Sequence, residues 1–213
     1  MRSPHCVLII AGGLLLAAGC NQGRGSASPP PAGDAQQASA NALVTLRKLV
    51  TEQNYKGLGF QSADEVTGAT LGQPLTQYNI GLDRLKSYEP GADASALLSA
   101  SSETIYPVTV GGQVRSSVTV VKRENGYTTA SFGNAAIVKA LTRYRESNTP
   151  NGFVVRIPVF GMYFLGNRIE NRLLLTPVYE DSRVPLRTGE AVPAEEVLKV
   201  IVPLAREYNG LPM

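Results

Sequence analysis

The sequence predicts an α+β fold: a mainly antiparallel sheet of hairpin-connected strands with packing helices, preceded by a disordered tether. Three observations carry this expectation. Apolar residues alternate on both sides of Gly111-Gly112, an Asn125-Gly126 pair opens a further strand, and helical spacing recurs in segments set between the groups of strands. Runs of hairpins with helices between them define this class, in contrast to strict strand-helix alternation.

At the start of the chain, Arg2, the apolar run from Val7 to Ala18 and the small pair Ala18-Gly19 have the layout of an export signal. A spanning helix needs about 20 apolar residues. This run is broken by Gly12 and Gly13 and stops at the polar Asn21. The segment Leu16-Ala17-Ala18-Gly19-Cys20 resembles the lipobox of bacterial lipoproteins, with alanine where leucine is commonest, three residues before the cysteine. The resemblance covers the signal region alone. It implies that residues 1–19 are a signal peptide, that cleavage leaves Cys20 first, and that its thiol carries a diacylglyceryl group. Two acyl chains suit stable anchoring, since each buried methylene contributes about 0.8 kcal/mol and a single chain holds only marginally. Asn21 is not the aspartate that typically retains such proteins in the inner membrane, so for a Gram-negative cell the resemblance implies the outer membrane.

Residues 20–40 follow as the lipidated cysteine and a linker. The stretch from Asn21 to Ala40 is rich in Gly, Ser, Ala, Pro and Gln, with no aliphatic side chain larger than alanine, and it reads as disordered. Residues 41–213 are expected to form one α+β domain, a length sufficient for a sizeable core. Leu43, Leu46, Leu49 and Val50 predict a helix over 42–54. Ser62 and Glu65 have capping-box spacing ahead of a short second helix. Tyr78, Ile80 and Leu82 alternate as a strand does.

The segment from Thr104 to Phe132 predicts three antiparallel strands, turning at Gly111-Gly112 and then at Asn125-Gly126, where both residues tolerate positive φ. Ile137, Leu141 and Tyr144 share one face of a helix over 135–146. Phe153 to Leu165 is strand-like with an irregularity at Gly161, Gly166-Asn167 is a candidate turn, and Ile169 to Tyr179 would return beside it. Pro193, Glu195 and Glu196 open a last helix toward Tyr208, which Pro203 should kink or end.

Composition removes several chemistries. The only histidine is His5 and the only other cysteine is Cys6, so a chain beginning at Cys20 has neither an imidazole nor a free thiol. That excludes Ser-His-Asp and Cys-His catalysis, and argues against zinc, most transition metals and any intrachain disulfide. No cofactor or metal motif is found. The net charge of +3, which falls by one when Arg2 leaves with the signal, lacks the concentrated basic stripe of a nucleic-acid binder.

The expected function is therefore that of a lipid-anchored cell-envelope protein, a non-catalytic binding or structural module. It would be held to the membrane by its anchor and face an envelope protein or polymer. Alternatives are a carboxylate-dependent hydrolase of an envelope polymer, with Glu103, Glu124, Glu170 and Asp181 as the conceivable groups, and an inhibitory or chaperone-like partner of an exported protein. Phe160, Met162, Tyr163 and Phe164 form the densest aromatic stretch and are either core or a candidate partner surface. Arg115 after one turn and Lys122-Arg123 before the next could hold an anion, or simply protect solvated strand edges.

Overall fold

The computed structural model describes residues 32–148 and 151–210. The export signal, Cys20 and the linker as far as Pro31 lie outside the described residues.

Helix α1 spans Ala32–Leu49, so it begins well inside the stretch expected to be linker. Ala35, Ser39, Ala42, Leu43 and Leu46 recur at helical spacing and are buried. Alanine and glutamine are strong helix formers, and small side chains let the helix lie close to the sheet. A search for large aliphatic residues misses such a face. The buried Ser39 hydroxyl donates to the Gln36 carbonyl at 2.7 Å and so remains satisfied. The helix stops at Leu49, short of the expected residue 54, because Asn54 folds back on it. The Asn54 amide donates to the Leu49 carbonyl, and its side-chain oxygen accepts from the Thr51 N–H, both at 2.8 Å.

One nine-stranded sheet forms the centre. β1 (Thr70–Leu71) and β2 (Leu75–Asn79) lie along the same edge of β3 (Ser99–Val110), interrupted at Gly72. β3 turns at Gly111-Gly112, both at positive φ, into β4 (Gln113–Arg123), as expected. The next turn differs from expectation. Arg123 pairs with Gly126, the loop is Glu124-Asn125, and of the expected pair only Gly126 has positive φ. This is the arrangement in which a turn of ordinary hand is followed by one left-handed glycine. β5 (Gly126–Phe132) completes the first meander at the sheet edge.

The second meander is β6 (Phe153–Ile157), β7 (Met162–Ile169), β8 (Arg172–Pro177) and the short β9 (Val192–Pro193), all antiparallel. Gly161 breaks β6 from β7 as predicted, at φ +64° after a 3-10 turn. Gly166 is not a turn. It sits inside β7 opposite Phe153, whose ring occupies the space a side chain would need, 2.5 Å from an added Cβ. The hairpin turns instead at Glu170-Asn171, where both residues take positive φ and Ile169 pairs with Arg172. Glycine content pointed to the wrong pair because asparagine also tolerates this conformation.

β2 joins the meanders, antiparallel to β3 and parallel to β6. Its expected continuation through Leu82 fails, since Gly81 caps the short helix α2 (Leu82–Lys86) and Leu85 is buried one turn along. Helix α3 (Ala135–Asn148) lies on one face, where Val138 and Leu141 meet Leu75, Ile105, Val154 and Leu165. Helix α4 (Ala194–Glu207) covers the β6–β8 part of the other face through Val197, Leu198, Ile201 and Ala205. α1 covers β3 and β4 through Tyr106, Val108, Val118 and Val120. β3 assigns these faces, because Ile105 meets α3 while its neighbours Tyr106 and Val108 belong to the α1 core. α4 continues past Pro203, which stands on its exposed side.

One close approach ties the loop after α1 to β4. Gly59 has φ +95°, and a Cβ there would stand 2.0 Å from the Arg115 carbonyl oxygen and 2.8 Å from the Ala135 methyl. Gly59→Ala is expected to lower stability by about 3 kcal/mol or more, combining overpacking with a disfavoured backbone. Urea denaturation measures this, and an unchanged midpoint would show that the loop does not rest on β4.

Candidate functional site

The four conceivable catalytic carboxylates stand on separate elements. Glu103 is on β3 and accepts from the amide of the buried Gln77 at 3.2 Å. Glu124 and Glu170 sit in two different hairpin turns. Asp181 lies in the loop after β8, and Arg183 grips it with Nε–Oδ1 at 2.8 Å and Nη2–Oδ2 at 2.5 Å. That double hydrogen bond lowers the Asp181 pKa, outweighing burial, so the group is held as a carboxylate and is unsuited to donate a proton. Arg183 also donates to the Phe160 carbonyl at 2.7 Å, and the Tyr179 hydroxyl donates to the Gly161 carbonyl. Together they fasten the loop after β8 to the β6–β7 turn. The reading that fits Asp181 is structural.

The aromatic stretch is also structural. Phe160, Met162 and Phe164 are buried under α4, and Tyr163, on the opposite face, is half-buried with the Arg156 guanidinium 5.3 Å from its ring centroid. The candidate partner surface at Phe160, Met162, Tyr163 and Phe164 is thereby corrected. β7 alternates between two covered faces, and a strand buried on both sides reads as a continuous apolar run.

Among the basic residues the structure separates one expected pair and makes another grouping. Arg115 and Lys122-Arg123 occupy opposite parts of β4, roughly 20 Å apart along the strand. Arg115 instead meets α3. A register shift in β3–β4 pairs Val108 with Ser116 but Thr109 with Val114, leaving Arg115 as the extra residue. Such a bulge re-aims the side chain it carries. The result is an open recess of about 350 Å³, walled by Thr109, Gln113 and Arg115 of the hairpin and by Lys139, Thr142 and Arg143 of α3. Positions 139, 142 and 143 share one helical face, a spacing legible in the sequence. What could not be read is that this face would lie beside Arg115.

Arg115 is positioned by Glu65, from the 3-10 helix Asp64–Gly68, with Nε–Oε1 at 2.6 Å. The other Glu65 oxygen accepts from the Gln61 N–H at 2.5 Å. The expected capping box is therefore replaced by a bond one residue earlier, and the segment is 3-10 rather than α. Burial alone would raise the Glu65 pKa. The Gln61 N–H, the Arg115 bond and the positive charges of Arg115 and Lys139 outweigh it and hold the group below its ordinary range. Glu65 is itself absent from the recess lining, in which the described residues include three cations and no carboxylate.

A second depression, about 180 Å³, lies between the segment after α2 and α4, with Tyr88, Leu198 and Val202 as its floor. Lys199 and Pro203 line it as well. Proline has no N–H to return to the carbonyl four residues back, so α4 cannot bond the Lys199 carbonyl in the usual way.

The fold and the recess define a mainly antiparallel α+β domain with a basic surface concavity. Comparison with known proteins adds no relative, since no family model, curated protein or solved structure matches the chain.

The Glu65–Arg115 pair gives a pH signature. A carboxyl whose pKa is depressed by folding stabilises the native state above its unfolded pKa, and that contribution is lost as pH falls through the folded value. Glu65→Gln is expected to lose roughly 1–3 kcal/mol at pH 7. The difference from wild type should shrink as pH falls below about 4. Denaturant titrations across this range test it, and a deficit constant with pH would mean that packing, not charge, is what the substitution removes.

Proposed function

We propose that this chain is a lipid-anchored module of a bacterial cell envelope that works by binding rather than by catalysis. The observation that carries the reading is the run Leu16-Ala17-Ala18-Gly19-Cys20 and its distance from the fold. α1 begins at Ala32, so only Asn21 to Pro31 separate the cysteine from the first helix. Eleven residues span at most about 40 Å. An acylated Cys20 would keep the sheet domain within that distance of the lipid. Among the described residues no helix is long and apolar enough to cross a membrane. Attachment through Cys20 would need none.

The non-catalytic half of the reading draws support from the carboxylates. Asp181 is committed to Arg183, Glu65 to Arg115 and Gln61, and Glu103 to Gln77. Each of these groups has a structural partner, and no described recess is lined by two of Glu103, Glu124, Glu170 and Asp181.

Intact mass spectrometry of the membrane-fraction protein tests the anchor. The expected mass begins at Cys20 and carries acyl chains, and Cys20→Ala should move the protein out of the membrane fraction. An unmodified mass, with the wild-type protein soluble, would overturn the reading.

A further inference from the structure

We propose that the loop between β8 and β9 is a binding site for a zwitterion of the amino-acid type, with an ammonium and a carboxylate carried on one apolar group. Around a single depression this loop presents an acid and a base that have no other partner, two hydroxyls and an apolar wall. None of this depends on acylation of Cys20.

Residues 178–191 join two antiparallel neighbours without a helix or strand of their own. Such neighbours need only a tight turn, and a loop this long is ordinarily either disordered or functional. This one is fastened along its length. The Tyr179 hydroxyl donates to the Gly161 carbonyl, and Arg183 donates to the Phe160 carbonyl at 2.7 Å while gripping Asp181. The Val184 N–H donates to the Asp181 carbonyl at 3.1 Å with the Val184 side chain buried, and the Gly189 N–H donates to the Pro177 carbonyl at 2.9 Å. The depression is therefore preformed, and a ligand would not have to order it. It measures about 660 Å³, within the range of small-molecule sites, and all of its lining comes from residues 180–188.

Both signs of charge stand on that lining. Asp181 is already committed, since both of its oxygens accept from Arg183. Glu180 and Arg187 make no hydrogen bond or ion pair with any described residue. Either alone would be an ordinary surface charge. On the two arms of one loop they complement a ligand that offers an ammonium to the carboxylate and a carboxylate to the guanidinium fork. That complementarity requires one group of each sign and is independent of the net charge around them.

Ser182 and Thr188 add hydroxyls, and the Thr188 Oγ1 is buried with no hydrogen-bond partner. Buried polar groups are ordinarily satisfied, so a polar atom of the ligand would complete it. Val184 and Leu186 supply the apolar part of the wall, which suits an aliphatic side chain better than a third charge. A free amino acid and a short peptide with both ends free share this chemistry.

The test uses the isotope-labelled full chain carrying Cys20→Ala, so that no acyl group contributes, titrated with L-leucine and with leucyl-alanine in amide NMR spectra. The amides of residues 180–188 should shift and saturate. Exposed ion pairs are individually weak, so N-acetyl-leucine and leucinamide, which each lack one charge, should bind about three- to fivefold more weakly than leucine. Glu180→Gln should remove the advantage of leucine over N-acetyl-leucine, and Arg187→Gln its advantage over leucinamide. Both side chains are exposed, and unchanged spectra outside the loop would exclude a folding defect. Tighter binding of leucine than of leucyl-alanine supports the site with a free amino acid as its ligand. Equal or tighter binding of the dipeptide supports it with a short peptide. No saturable shift with either probe, shifts confined to other parts of the chain, or binding indifferent to both substitutions would overturn the proposal.

Discussion

The structure depends on β2, a five-residue strand that is antiparallel to β3 on one side and parallel to β6 on the other. Either meander alone would leave an open edge of unpaired N–H and C=O groups where β2 now lies. Parallel neighbours cannot be joined by a tight turn, so the chain between them must be long and must cross the sheet. Here that crossover contains the whole first meander and α3. The chain leaves β5 at the sheet edge and must return beside β2, which carries α3 over the intervening strands. Leu75, wholly buried on β2, packs in the cluster α3 forms with Ile105, Val154 and Leu165. The helix that closes the core is thus also the helix that brings Lys139, Thr142 and Arg143 to the β3–β4 hairpin.

The two faces are covered by different means. α4 uses large side chains at positions 197, 198, 201 and 202, and its stripe presses on β6, β7 and β8. α1 begins with Ala35, Ser39 and Ala42 and brings in Leu43 and Leu46 only later, so its first turns gain stability from close approach more than from bulk. Polar groups in these layers are mostly satisfied locally. Ser39 bonds within its own helix, Ser117 donates to the Gly133 carbonyl at 2.5 Å, and Gln77 is bonded to Glu103. Against that background the unpartnered Thr142 hydroxyl stands out, and so does the unpartnered buried Nε of Arg156.

Charge is arranged with the same economy. Arg183 neutralises Asp181 while fastening a loop, and Arg206 donates to the Tyr88 carbonyl at 2.8 Å while tying α4 to the segment after α2. Arg145 does the same for the segment before β2, donating to the Pro74 and Gln73 carbonyls. Arg115 is held in the same way by Glu65. A larger depression beside Asp181 is lined by Glu180 and Asp181 together with Arg187.

What the sequence determined by itself was class and local pattern. Alternation around Gly111-Gly112, the α3 face at Ile137 and Leu141, and the acidic start of α4 depend on side chains a few residues apart, and they were legible for that reason. Errors arose where local chemistry is degenerate. Ala32 to Ala40 is compatible with linker or helix, and only the sheet beneath it selects helix. Tyr78 to Leu82 is too short to separate the two periods. Gly166 has the sequence context of a turn, and its real constraint, the ring of Phe153, comes from another strand. Tertiary structure alone decided the parallel contact of β2 with β6, the burial of Phe160, Met162 and Phe164, and the meeting of Arg115 with Lys139 and Arg143. Each brings together residues distant in the chain, and a one-dimensional pattern contains no information about which pairs the crossover will bring together.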